Sequence, residues 1–303
     1  MRRPRRIPAE SLVTAWALST AILVAGCVGD TVKAVGPQSV VFLQPAAVPG
    51  PDPFTGPTAT TAPATRAAQS PLPVARDPAP PHLPRVFSGA IPGLYGGTAH
   101  AAGCDVERQI GHLAADRAKG DAFARVAGVP RASLPRYLRG LTPVVLRTDT
   151  SVTNHSYVEH RATGFQSVLQ AGTAVLVDAR GVPRVRCLCG NPLTPPQPLS
   201  GAPSTRGTAW PGYRPTEVIV VTPGPRALTD ITLFDTATGT WIARRIGPDV
   251  HHDRVVPAPA PATLFPGNTE PARTAQQSPH EGLPGVSSGE TGRAPGGAAP
   301  AVA

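Results

Sequence analysis

The stretch Thr173-Ala174-Val175-Leu176-Val177-Asp178-Ala179-Arg180-Gly181-Val182-Pro183-Arg184-Val185-Arg186-Cys187-Leu188 decides the fold class. Thr173 to Val177 and Val182 to Leu188 are apolar, β-branched runs. Between them Asp178-Ala179-Arg180-Gly181 reads as a hairpin turn, with Gly181 supplying positive φ. Downstream, Ile231 to Phe234 and Thr240 to Ile242 flank Ala237-Thr238-Gly239 in the same pattern, and Glu217 to Val221 reads as another strand. Val144 to Arg147 is a further short β-branched run. Upstream the period changes. Asp105 is placed to cap a helix in which Val106, Ile110 and Leu113 recur at helical spacing. Asp121 to Ala127 reads as a short helix stopped by Gly128 and Pro130, while Ser133, Pro135 and Gly140 mark the cap, first turn and end of a third. The predicted fold class is α+β, with short N-terminal helices followed by antiparallel hairpins and flanked by disordered Pro/Ala/Gly-rich segments.

Composition sets the boundaries. The chain has 303 residues, of which 39 are Pro and 31 Gly, close to the ~25% level at which aperiodic Pro/Gly richness signals disorder. With 16% charged and 5% aromatic residues, this excludes one continuous globular core, a coiled coil and a collagen-like rod. Ten of the 14 aromatics lie between Phe87 and Gly247, a normal size for one domain. Twelve prolines between Pro45 and Pro84, spaced by Ala, Thr and Ser, read as an extended, semi-rigid linker. Nine more prolines after His251 read as a disordered tail. The organisation expected is therefore a signal at residues 1–26, a linker at 27–87, an α+β domain at 88–247 and a tail at 248–303. The net charge of +9 is concentrated at the start, where four arginines fall in the first six residues. Elsewhere no basic cluster interleaves with aromatics, so nucleic acid is not an expected partner.

Arg2 to Arg6 read RRPRR, an apolar run extends from Leu12 to Gly26, and Cys27 follows. These are the parts of an export signal, and the run is shorter than the ~20 residues of a spanning helix. Val24-Ala25-Gly26-Cys27 is similar to a bacterial lipobox, in which the cysteine thiol is lipidated and becomes the mature N-terminus. The other reading is an uncleaved anchor. Both place the rest of the chain on the extracytoplasmic face of the cell membrane, with the membrane as a partner through the N-terminus. A polyproline linker at ~3.1 Å per residue lifts the domain ~100 Å from it.

Gly93-Leu94-Tyr95-Gly96-Gly97-Thr98, Cys104-Asp105, Leu141-Thr142-Pro143, Thr153-Asn154-His155, Gln170 to Asp178 and Gly181 to Leu193 occur in that order. Together they resemble an uncharacterised domain of exported and membrane proteins of actinobacteria, over roughly residues 88–247. The resemblance implies the domain boundaries and an extracytoplasmic location, and it carries no assigned activity.

With Cys27 taken by lipid, Cys104, Cys187 and Cys189 remain. In an oxidising compartment a bridge from Cys104 to Cys187 or Cys189 is the first expectation, leaving one thiol over. Cys187 and Cys189 share one face if their strand is regular. A Cys₃His zinc site with His100, His112, His155 or His160 is the rival, but C-x-C fits the usual C-x₂₋₄-C spacing poorly, and no metal or cofactor is assigned. A thiol redox pair of Cys187 and Cys189 would need a low-pKa thiolate. Asn154-His155, preceded by Asp149, is the most enzyme-like cluster, with His155 and Asp149 as weak catalytic candidates. The bland alternative is a turn in which Asn and Asp bond their own backbone. Asn154-His155-Ser156 fits the glycosylation triplet, discounted in a bacterial lipoprotein. Gly93 to Thr98 lacks the lysine of a phosphate loop, and His251-His252-Asp253 reads as incidental. H-E-x-x-H and S-x-x-K are absent, which weighs against a common hydrolase. The expected function is a cell-envelope lipoprotein with a binding or structural module for a cell-wall polymer or exported protein. The alternative is an extracytoplasmic hydrolase or metal-dependent enzyme built on His155/Asp149 or on Cys104/Cys187/Cys189.

Overall fold

Three helices form in the stretches the sequence marks for them, although not every predicted cap is used: Ser133 makes no side-chain capping bond. In the computed structural model, which describes residues 40–60, 85–199 and 203–259, Asp105 accepts the Arg108 N–H at 2.9 Å and starts α1 (Val106–Ala115). The second helix, α2 (Arg117–Ala127), starts more than a turn earlier than its sequence signal, because Asp116 supplies the cap through the Lys119 N–H at 3.0 Å. It ends at Gly128 as predicted. The third, α3 (Leu134–Arg139), ends at Gly140.

The fourteen strands of the described residues run β1 (Val40–Gln44), β2 (Arg85–Ser88), β3 (Tyr95–Gly96), β4 (Thr142–Leu146), β5 (Thr150–Val158), β6 (Arg161–Leu169) and β7 (Ala174–Val177). They continue as β8 (Pro183–Arg186), β9 (Asn191–Thr194), β10 (Ser204–Arg206), β11 (Ile219–Thr222), β12 (Asp230–Asp235), β13 (Thr240–Arg245) and β14 (Arg254–Val256). Their order in one sheet is β10, β1, β6, β5, β9, β8, β7, β4, β3, β12, β13, β14, with β11 joining β2 to β5. The β7–β8 and β12–β13 hairpins form as predicted. Gly181 has φ 74°, and a Cβ there would meet the Gly89 carbonyl oxygen at 2.1 Å.

The α+β expectation is overturned. The domain is mostly β, a 14-strand mixed sheet with three short helices and 17% helix. The helices do not precede the strands; they interrupt the sheet between β3 and β4. Two physical features hid the rest. The longest hairpin, β5–β6, turns through Glu159 (φ 47°) and His160 (φ 62°). A two-residue turn of that hand needs positive φ at both positions, and neither residue is the Asn or Gly that announces it. Of the remaining strands, β1, β2 and β10 are held by non-local parallel pairings, such as β1 on β6 (Val41 opposite Gln166) and β2 on β11 (Arg85 opposite Ile219), which leave no local period to read.

The expected boundaries also move. Residues 40–60, assigned above to the linker, carry β1 and the fully buried Phe54, whose ring sits 5.9 Å from Phe123 and 5.2 Å from Tyr157. The Thr55 and Thr58 N–H groups donate to the carbonyls of Cys189 and Cys187, so this proline-rich backbone is paired rather than solvated. Residues 248–259, assigned to the tail, contribute β14 and the buried Val250 and Asp253. Asp253 forms a buried pair with Arg244 at 2.6 Å. The signal at 1–26, Cys27, the central linker and the distal tail lie outside the described residues.

Candidate functional site

Cys104 and Cys187 form a disulfide with Cα atoms 5.8 Å apart, joining the start of α1 to the end of β8 inside the core shared by Leu113, Phe123 and Leu138. This resolves the pairing left open between Cys187 and Cys189. The shared face does not exist, because β8 stops at Arg186 and Cys187 to Gly190 turn away. Gly190 is required there: its φ is 63°, and a Cβ would lie 1.9 Å from Thr55 Oγ1. Cys189 is a free, buried thiol. Burial pushes its pKa up, against the pull of Arg186, whose Nη1 lies 3.8 Å from the sulfur. Arg186 is itself fully buried and donates to Gln44 Oε1 and to the carbonyls of Pro45, Val48 and Pro49, clamping the segment after β1. With two thiols in the disulfide, the Cys₃His site loses its ligands and the Cys187/Cys189 redox pair loses its thiolate. Among the described residues no group of three or more His, Cys, Asp or Glu is arranged to hold a metal.

Asn154-His155 is not a turn; it lies within β5. Asn154 is buried and accepts from Asn191 Nδ2 at 3.0 Å, which also closes it to glycosylation. Asp149 sits just before β5 and accepts from the Ala171 N–H at 2.8 Å and Trp210 Nε1 at 3.0 Å, while burial raises its pKa. His155 stands six residues further along an extended strand, about 20 Å away at ~3.3 Å per residue. The two do not form a dyad. The other sequence candidates are dispersed. The Gly93 carbonyl accepts from Arg147, His160 Nδ1 faces Tyr157 Oη at 3.4 Å, and the buried Asp253 is separated in environment from the exposed His251 and His252.

His155 sits in a groove. Its Nδ1 is 3.1 Å from the Pro192 carbonyl, which can only accept, so Nδ1 carries the proton and the neutral ring presents its lone pair at Nε2. Burial lowers the imidazole pKa, partly opposed by that hydrogen bond. Directly across the hairpin stands Gly164, where a Cβ would lie 3.2 Å from Nε2 and Cδ2. The absent side chain at Gly164 leaves room for the His155 ring over the strand. Two pairs along, on the same face, Tyr157 stands opposite the small Ala162. These two small residues open a groove of about 510 Å³ beneath α2, walled by Ala122 and Val126 and flanked by Arg125 and Arg161. Arg125, Arg161 and Gly164 escaped the sequence reading; the one signal available was a glycine inside an alternating run.

The family model for a domain of unknown function, DUF6777, matches residues 85–247, just over half of the chain. No curated protein and no solved structure matches. The match spans the hairpins, the helices and both disulfide cysteines but stops short of β1, Phe54 and β14, which complete the same sheet and core. The chain belongs to the DUF6777 family.

Proposed function

We propose that this is an exported, lipid-anchored envelope protein whose β-rich domain is a binding or structural module at the outer face of the membrane, of actinobacterial type. The observation carrying this reading is the buried Cys104–Cys187 cross-link. Such bonds persist in oxidising compartments, and the signal-like segment ending at Cys27 supports the same destination. Cys27 is the lipidation site, and the proline-rich segment holds the domain away from the bilayer. Among the described residues no helix is long and apolar enough to cross a membrane. A cell-wall polymer or another exported protein is the partner. Enzymatic readings have lost their constellations, since Asp149 is remote from His155 and Cys104 and Cys187 are bonded to each other. The test is metabolic labelling with an alkyne fatty acid in an actinobacterial host. Label on the parent chain and none on Cys27→Ala is the expected result; equal label, or a chain retained in the cytoplasm with reduced thiols, overturns the reading.

A further inference from the structure

The groove beneath α2 carries uncompensated positive charge. Arg125 and Arg161 are exposed at its edges, and among the described residues neither forms an ion pair. The contrast on the same helix is Asp121, engaged by Arg117 at 3.7 Å and Arg131 at 3.2 Å. Lys119, also on α2, extends the line, with its ammonium 5.3 Å from the Tyr157 ring centroid. The floor is His155, left uncovered by Gly164.

We infer that this groove binds a polyphosphodiester chain, one phosphate resting between Arg125 and Arg161 with His155 Nε2 as third donor. Guanidinium forks match phosphate oxygens, and three donors from α2, β5 and β6 suit a tetrahedral anion better than a planar carboxylate. The groove is open rather than enclosed, so it cannot wrap a small molecule over most of its surface, but it lets a polymer pass through. Nε2 can donate only once the ring is protonated, so binding takes up a proton. The charged and titratable groups facing His155 are Arg125 from α2, Arg161 from β6 and Tyr157 from its own strand, while β9 brings Asn191, Pro192, Leu193 and Thr194, none of which is ionisable.

The inference rests on the binding-module reading but not on the lipid anchor, so a chain without lipid that still binds polymer separates the two. The experiment is calorimetric titration of the detergent-purified full chain with poly(glycerol phosphate), polyglutamate of equal charge, inorganic phosphate and phosphatidylglycerol vesicles. Saturable binding to poly(glycerol phosphate) is expected, stronger at pH 5.5 than at 7.5, with inorganic phosphate far weaker. Arg125→Gln and Arg161→Gln, both surface changes, should each weaken it and together lower the slope of log K against log salt by about 0.7, one phosphate's share. His155→Gln should remove the pH dependence. No saturable binding, binding unchanged in the double variant, equal affinity for polyglutamate, or preference for vesicles overturns the assignment.

Discussion

Phe54→Ala tests whether residues 40–60 belong to the folded domain. Phe54 is fully buried, its ring meets Phe123 and Tyr157, and its N–H donates to Asn191 Oδ1 at 3.0 Å. A buried aromatic side chain removes at least ~150 Å² from water, which at ~25 cal/mol/Å² comes to about 4 kcal/mol. Phe→Ala changes in cores cost about 3–5 kcal/mol, so the two estimates agree. With an m-value of about 2–3 kcal/mol/M, the urea midpoint should fall by about 1–2.5 M. Tryptophan fluorescence reports the transition through Trp210 and Trp241, on opposite parts of the sheet. Val48→Ala is the control, since Val48 lies in the same segment but is 50% exposed, and its stability should change by less than ~0.5 kcal/mol. A Phe54→Ala midpoint within ~0.2 M of the parent would refute the packing and return this segment to a linker.

Three further outcomes follow from the same physics. Asp253→Asn leaves the buried Arg244 guanidinium without its counter-charge and should cost about 3–5 kcal/mol, with Arg244→Met/Asp253→Leu recovering part of it in thermal melts. Replacing Cys104 and Cys187 by Ser opens an 83-residue cross-link and should cost about 4.5 kcal/mol in chain-entropy terms; alkylation of the denatured, unreduced parent should leave that pair unlabelled and mark Cys189. The folded-state pKa of His155 is depressed, so the unfolded chain binds more protons just below its unfolded pKa of ~6.5, and stability is lost as pH falls through the folded pKa. Urea midpoints from pH 7.5 to 5 should show that slope, and His155→Gln should flatten it.

Much of the local architecture was legible in the chain. Asp105, Gly128 and Gly140 act as helix punctuation because caps satisfy backbone groups within one turn, and Gly181 marks its hairpin because only glycine adopts that turn cheaply. The cysteine count and the signal-like start likewise led to the expectation of a bridge to Cys104, since compartment chemistry needs no coordinates. Tertiary structure alone decided which strands pair. Val41 finds Gln166 and Arg85 finds Ile219 across more than a hundred residues, and a parallel partner at that separation imposes no pattern on the local sequence. It also decided that a proline-rich stretch could be core, because Phe54 fills a space made by α2 and β5 that composition averages away. The groove exists for the same reason. His155, Gly164, Arg125 and Arg161 are unremarkable one by one, and only the β5–β6 register and the packing of α2 over it bring the imidazole and the two arginines to one groove.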